Sequence, residues 1–226
     1  MRRKIIVCLK KFLFKHKFLY SIAIKIKHLV KKTAKGKVIL INSGYALLKK
    51  DIRGSENTII IEEDCALHDV FIRIRGNNNR IVFDKDCKVG NNCSFWMEGN
   101  NIEIHVGKGT TFTHSVHFCA QEDNTKIIVG SDCMFSNNIT VRTSDSHPIY
   151  DSHTNERINK AKDVYIGQHV WIAPNTKIMK GASIGDNSII GSDSMVLKPI
   201  PSNVLAVGHP ATVVKREIYW TRETLF

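Results

Sequence analysis

Between Asp163 and Pro199 the chain repeats in sixes. Set out from Val164 it reads VYIGQH, VWIAPN, TKIMKG, ASIGDN, SIIGSD and SMVLKP, with an aliphatic residue third in each: Ile166, Ile172, Ile178, Ile184, Ile190 and Val196. The residue four beyond each of the first five is small or β-branched: Val170, Thr176, Ala182, Ser188 and Ser194. An α-helix repeats its apolar face every three to four residues and a flat strand every two, so a strict six fits neither. It fits a prism. Three short strands and three tight corners close one coil in three hexads, every aliphatic points at the axis, and stacking buries what no single coil can bury.

The same pattern extends upstream with a wider period. Ile61, Phe83, Val106 and Val129 are equivalent positions, each opening a triplet of rungs: 61, 67 and 73, poorly kept; 83, 89 and 95; 106, 112 and 118; 129, 135 and 141. The excess of each coil falls between its third rung and the next first rung, as RGNNN (75–79), EGNN (98–101) and QEDN (121–124). Small polar residues that tolerate left-handed backbone suit such corners. At the fourth coil this corner carries a much longer insertion, RTSDSHPIYDSHTNERINKAKD (142–163). Long loops on rigid scaffolds tend to carry function.

Charge separates the chain into parts. Residues 1–50 hold fifteen of the 33 Lys and Arg and no acid, leaving 18 bases against 21 acids, a net −3, for the rest. Within residues 1–36, Ile5, Leu9, Phe12, Leu13, Leu19, Ile22, Ile26, Leu29 and Val30 recur at helical spacing, which predicts one or two basic amphipathic helices. The segment has neither the apolar core and cleavage site of a signal peptide nor ~20 apolar residues to span a bilayer. A cationic helix of this kind can lie on an anionic membrane surface, on its own β-body or on another subunit. The body follows over 37–211, with the loop at 142–163, and residues 212–226 form a C-terminal cap with a short strand and a terminal helix. The six cysteines include no CxxC pair. Cys65, Cys87, Cys93 and Cys133 fall in the small-residue slot, four after a rung, and are expected to be reduced packing residues in a cytosolic protein.

Ser144-Asp145-Ser146-His147-Pro148 in the long loop, Ile166-Gly167 and Val170-Trp171-Ile172 in the next coil, the hexads, and the closing Ala206-Val-Gly-His-Pro-Ala211 together resemble the hexapeptide-repeat acyltransferases. The resemblance is to the branch of maltose, galactoside and capsular-polysaccharide O-acetyltransferases, and it is strongest from about 129 to 215. It implies an all-β fold, a left-handed parallel β-helix, assembled as a homotrimer with acetyl-CoA bound between neighbouring subunits. His147 matches the family's catalytic histidine. An unassisted hydroxyl is a poor nucleophile, and a histidine titrating near neutrality is suited to take its proton.

Other roles follow from the same resemblance. Asp145 is placed to orient or polarise the imidazole, while His153 and Asp151 are secondary candidates in the same loop. Trp171 is expected to line the point where donor and acceptor meet, or to pack between subunits. The family offers an oxyanion donor at the third residue after this tryptophan, here Pro174, which has no N–H, so the donor is expected to be the amide of Ala173 or Asn175, or water. Ala173 and Ser192 match the positions along the coenzyme's pantetheine arm, and Lys198 and Lys215 those near its nucleotide end. His114 and His117 precede the loop by one to two coils, and His117 is the candidate to face the acceptor.

The expected function is therefore direct acetyl transfer from acetyl-CoA, a co-substrate, to a hydroxyl of a bacterial surface polysaccharide or its precursor. No metal and no nucleic-acid partner are expected, and the location is cytoplasmic, with residues 1–36 as a possible peripheral tether to the inner membrane. The alternative within enzymes is an N-acetyltransferase for a nucleotide-linked amino sugar. A zinc carbonic anhydrase on the same prism needs three histidines converging across adjacent coils; His105, His114 and His117 show no obvious three-ligand arrangement, and the SDSHP loop has no place in that chemistry. A non-catalytic scaffold has no reason to combine His147 with Trp171.

Overall fold

In the computed structural model, which describes residues 38–225, the hexads form the left-handed parallel β-helix expected of them. The first face stacks Val38–Asn42, Asn57–Ile61, Arg80–Phe83, Glu103–Val106, Lys126–Val129, Val164–Ile166 and Ser183–Ile184, all parallel. The second and third faces belong to one larger sheet, because Tyr45–Arg53, Ala66–Arg75, Thr111–Gln121 and Met134–Arg142 bend round the corner between them without a break. No helix occurs among the described residues.

Register follows the repeat residue by residue. Ile61, Phe83, Val106, Val129, Ile166 and Ile184 pair in succession on the first face. Leu67, Val89, Phe112, Phe135, Ile172 and Ile190 do so on the second. On the third face Phe95, Phe118, Val141, Ile178 and Val196 succeed one another, but the first member is Ile72, not Arg73. The coil is one residue shorter there. Val70 takes the small-residue slot, Asp69 turns the corner at φ 50°, and the fully buried Ile72 enters the axis, leaving Arg73 outside.

Asp and Asn supply the left-handed backbone at most corners. Between the first and second faces these are Asp64, Asp86, Asp132, Asn187 and Asn203, at φ between 57° and 64°; short polar side chains tolerate this region best among non-glycines. The polar turns between the third and first faces stack into a ladder. Asn77 N–H donates to Asn100 Oδ1 (2.9 Å), Asn100 N–H to Asp123 Oδ1 (2.8 Å), and Asn78 and Asn101 bond onward to Asn101 and Asn124. Gly76 sits in this stack at φ 123°, and a Cβ there would meet Gly99 O at 2.0 Å. Asn79 is buried and closes the turn from inside: its Nδ2 donates to Gly99 O (2.9 Å) and its Oδ1 accepts from Ile102 N–H (2.9 Å). Asn79→Ala strands both backbone groups and is expected to cost about 2–5 kcal/mol, read as a lowered melting temperature, with Asn79→Asp falling between it and wild type.

Phe83, Phe95, Phe112, Phe118 and Phe135 fill the middle coils in mutual edge contacts and one stacked pair, Phe112–Phe135 at 4.6 Å. Cys65, Cys87, Cys93 and Cys133 occupy their slots, buried and unbridged. Burial pushes the Cys133 thiol up to about 11, so it stays protonated and donates to Gly167 O (3.1 Å).

The C-terminus departs from expectation. Thr212–Arg216 runs antiparallel to Val204–Val207, and beyond it the chain continues as an extended strap in place of the expected short helix. A helix of so few residues is marginal alone. The extended path instead gains partners: the Trp220 ring stacks on His169 (4.0 Å, 9°), Trp220 Nε1–H donates to His169 O (3.0 Å), and Arg222 reaches Asp132 (2.7 Å) and Cys133 O (2.8 Å). The amphipathic segment 1–36 lies outside the described residues. Among those described, no helix is long and apolar enough to cross a membrane.

Candidate active site

The long loop leaves the third face after Arg142 and rejoins the first at Val164. Its root is fixed by reciprocal bonds: Gln121 N–H donates to Thr143 Oγ1 (2.8 Å), the Thr143 hydroxyl donates to Gln121 O (3.0 Å), and Lys162 N–H donates to Thr143 O (2.9 Å). Its tip is a small hairpin in which Tyr150 and Arg157 pair and Asp151 Oδ1 accepts from the amides of His153 (2.8 Å) and Thr154 (2.9 Å). Asp151 thus builds the turn.

Between root and tip lies a polar bracket. Arg157 clasps Glu122 with two nitrogens (2.8 and 2.6 Å), and Glu122 also accepts from the Ser144 hydroxyl (2.6 Å). Asn159, only 7% exposed, is the hub: its Oδ1 accepts from Ile149 N–H (2.7 Å) and its Nδ2 donates to Asp145 and to His147 O (2.8 Å). Lys180, from the next coil, bonds Asp145 and Asn159 O. His147 is held by its backbone at the rim of this bracket, with its ring exposed.

Asp145, expected to orient the imidazole, is bonded elsewhere. Its carboxylate is taken by Lys180 and Asn159, and no hydrogen bond joins it to His147. Asn159, Lys180, Glu122 and Arg157 escape sequence reading because the partners that fix the bracket lie 10–35 residues away, with no periodic relation to them.

The ion pairs make the bracket acid-sensitive. Arg157's hydrogen bonds hold the Glu122 carboxyl below its ordinary value, and Lys180 then Asn159 do the same for Asp145. A depressed carboxyl pKa contributes stability that is present above the unfolded value and lost as pH falls through the folded one. Hydrogen-exchange protection across 142–163 is therefore expected to hold from neutrality to about pH 5 and to be lost progressively below the ordinary carboxylate range of ~4, as pH falls through the depressed folded values. Protection that persists in acid while the coils remain folded counts against this bracket.

Trp171 lies outward on the second face, in register with Met134 and Ile189, its ring 6.0 Å from Trp220 and its Nε1 buried with no hydrogen-bond partner among the described residues. The loop emerges at a different corner, between the third and first faces, so His147 and Trp171 of one chain belong to different edges. Ala173 and Ser192 share the corner between the second and third faces one coil apart, Lys215 lies on the second face beside Leu205, and Lys198 lies at the loop's corner. One chain therefore does not gather these four. The expected oxyanion donors are engaged as well: Ala173 N–H donates to Ile190 O (2.9 Å) and Asn175 N–H to Asn137 O (3.0 Å). Pro174 between them has no N–H to offer.

His117 is half-buried on the third face, bonded through Nδ1 to the Ser94 hydroxyl and edge-on to Trp96 (4.7 Å). Burial, then the nearby Arg142 charge, lowers its pKa. His114 lies at a corner beside Ser115 (3.2 Å), and His105 bonds Asp84 (2.9 Å) from the first face, so the three histidines do not converge.

Comparison with known proteins adds to this geometry. Residues 163–198 match the family model described as bacterial transferase hexapeptide, six repeats. The chain is 42% identical over 91 residues to a polysialic acid O-acetyltransferase of Escherichia coli O1:K1, an alignment covering 40% of this chain and 30% of that protein. It is 34% identical over 135 residues to a galactoside O-acetyltransferase of Lactococcus lactis, covering 58% and 63%. The chain thus spans less than two thirds of either curated relative. The crystal structure of the polySia specific acetyltransferase NeuO superposes with a TM-score of 0.70 at 32% identity, covering 84% of this chain and 87% of that one. The polysialic acid O-acetyltransferase OatWY follows at 0.58 and 29%, covering 79% and 92%.

Proposed function

The chain belongs to the hexapeptide-repeat transferases, and from that premise we propose that it moves an acetyl group from acetyl-CoA to a hydroxyl of a bacterial capsular polysaccharide or its precursor. The likeness to NeuO over most of both chains carries this reading, joined to a ring-exposed His147 on a braced loop. In this reading His147 takes the proton of the acceptor hydroxyl as the oxygen attacks the thioester carbonyl. The tetrahedral adduct collapses, the C–S bond breaks, and the imidazolium returns the proton to the departing thiolate. No covalent acyl-enzyme is required. Asp145 holds the loop through Lys180 and does not touch the imidazole.

Ala173 and Ser192 would run beside the pantetheine arm, and Lys198 and Lys215 near the phosphates. Because these residues and Trp171 are not all on the loop's edge, we place each site between two copies in a homotrimer, with His147 from one and Trp171 from its neighbour. The oxyanion donor is then a water or a group of the neighbouring copy. We place the reaction in the cytoplasm. Residues 1–36 hold the enzyme near an anionic surface, and their removal is expected to reduce polymer acetylation in vesicle-bound assays.

The test is mass-spectrometric detection of labelled acetyl on capsule oligosaccharides, lipid-linked sugars and nucleotide sugars. Base-labile acetyl on an oligosaccharide is the expected result. Base-stable acetyl on a nucleotide amino sugar would replace this reading with N-acetylation.

A further inference from the structure

The third face carries a groove of about 410 Å³ below the loop, lined by Phe71, Ser94, Trp96 and His117, with Lys49 and Asn92 among its rim residues. That volume lies within the ordinary ligand-site range of ~300–1,000 Å³. The Trp96 indole is its floor: it meets Phe71 (6.4 Å) and His117 (4.7 Å) edge to face, and the Arg73 guanidinium lies over it at 5.0 Å. Around these rings stand the Ser94 hydroxyl, which bonds His117, the Asn92 amide, and Lys49 paired with Asp69 (2.8 Å).

A second observation marks the same surface. Four buried side-chain donors lack a hydrogen-bond partner among the described residues: Arg73 Nε, which has only a long ion-pair approach to Glu98 Oε1 (3.4 Å), Trp96 Nε1, Arg142 Nε and Trp171 Nε1. Three of the four lie in one outward column, since Arg73, Trp96, Cys119 and Arg142 pair in succession. Native folds rarely leave such donors without a reason. The column ends at the root of the loop, where Arg142 donates to Ser146 Oγ (2.6 Å), one residue before His147. Gln121 and Glu98 run beside it, joined at 2.8 Å. Trp96 stands two coils from Arg142, about 10 Å at the usual strand spacing.

We propose that this groove is a distal acceptor subsite, holding a sugar unit of the same chain next to the one presented to His147. The inference rests on the transferase reading above and deepens it: the acceptor is an oligomer or polymer. A pyranose offers an apolar C–H face and a rim of hydroxyls, and the groove offers aromatic rings bordered by hydroxyl, amide and charged groups. The groove also continues into the loop site along one column, which a chain-like ligand can follow and a free monosaccharide cannot.

The experiment compares a sialic acid disaccharide with a long sialic acid oligomer as acceptors for wild type, Trp96→Ala, Trp96→Phe and Phe71→Ala. The ratio of kcat/KM for the long over the short acceptor is expected to fall about tenfold in Trp96→Ala through KM, to fall less in Phe71→Ala, and to recover in Trp96→Phe. Equal losses on both acceptors, or an unchanged ratio, overturn the proposal. So does sedimentation showing that Trp96→Ala dissociates an assembly that wild type forms, since the groove would then be an interface between copies. If wild type acetylates neither acceptor, the transferase reading is decided by the wider acceptor panel above, and saturation-transfer NMR with the long oligomer decides the groove. Contact that Trp96→Ala abolishes supports it, and no contact with wild type overturns it.

Discussion

His147→Ala is expected to lower kcat for acetyl transfer by about 10²–10⁴-fold, the usual contribution of a positioned general base. The fold should survive the change. The ring is exposed, and what ties the residue to the bracket is its carbonyl, which accepts from Asn159 Nδ2 (2.8 Å) whatever the side chain. The melting temperature is therefore expected to stay at the wild-type value, and the loss to appear in kcat, with KM for acetyl-CoA little changed. A loss under about tenfold would remove His147 from the role of base. His153→Ala then becomes the informative variant, because that ring shares the loop and is also exposed.

The largest effect on stability is expected at the axis. Phe95 is fully buried and meets Phe83 of its own coil at 5.0 Å and Phe118 and Phe112 of the next at 5.3 and 6.1 Å, so it joins two successive coils. Phe95→Ala is expected to cost about 3–5 kcal/mol, because a cavity walled by other rings and stacked backbone closes only partly. Tyr219, 86% exposed, is the reference, and Tyr219→Ala should leave thermal unfolding unchanged. Equal melting temperatures for the two variants would mean that the aromatic cluster does not hold the middle coils together. Since stability in a stack is carried by each coil and its neighbours, the transition is best followed by more than one probe.

The first-face register from Ile61 to Ile184 was legible in sequence because every coil repeats the same demand, one aliphatic toward the axis. Where a coil loses a residue, the count fails. Six from Leu67 lands on Arg73, while the shortened turn at Asp69 brings Ile72 inward. The C-terminal strap was illegible for another reason: Trp220 and Arg222 are held by His169 and Asp132, 51 and 90 residues away, and local propensity carries no trace of either. The site divides the same way. His147 is read from a compact motif, but the binding of Asp145 to Lys180 and the engagement of the Ala173 and Asn175 amides depend on the neighbouring coil.

The Asn ladder and the long loop occupy the same corner of the prism, and there the length of chain between rungs varies most freely. Eleven residues separate Ile72 from Phe83, Phe95 from Val106 and Phe118 from Val129, and 25 separate Val141 from Ile166, yet the paired rungs on either side keep their register. Closing a longer loop adds little entropic cost once both ends are fixed. This edge is therefore evolvable in a way the axis is not. Exchange of whole turns here can remodel the surface this edge presents while the residues that specify the helix are left alone.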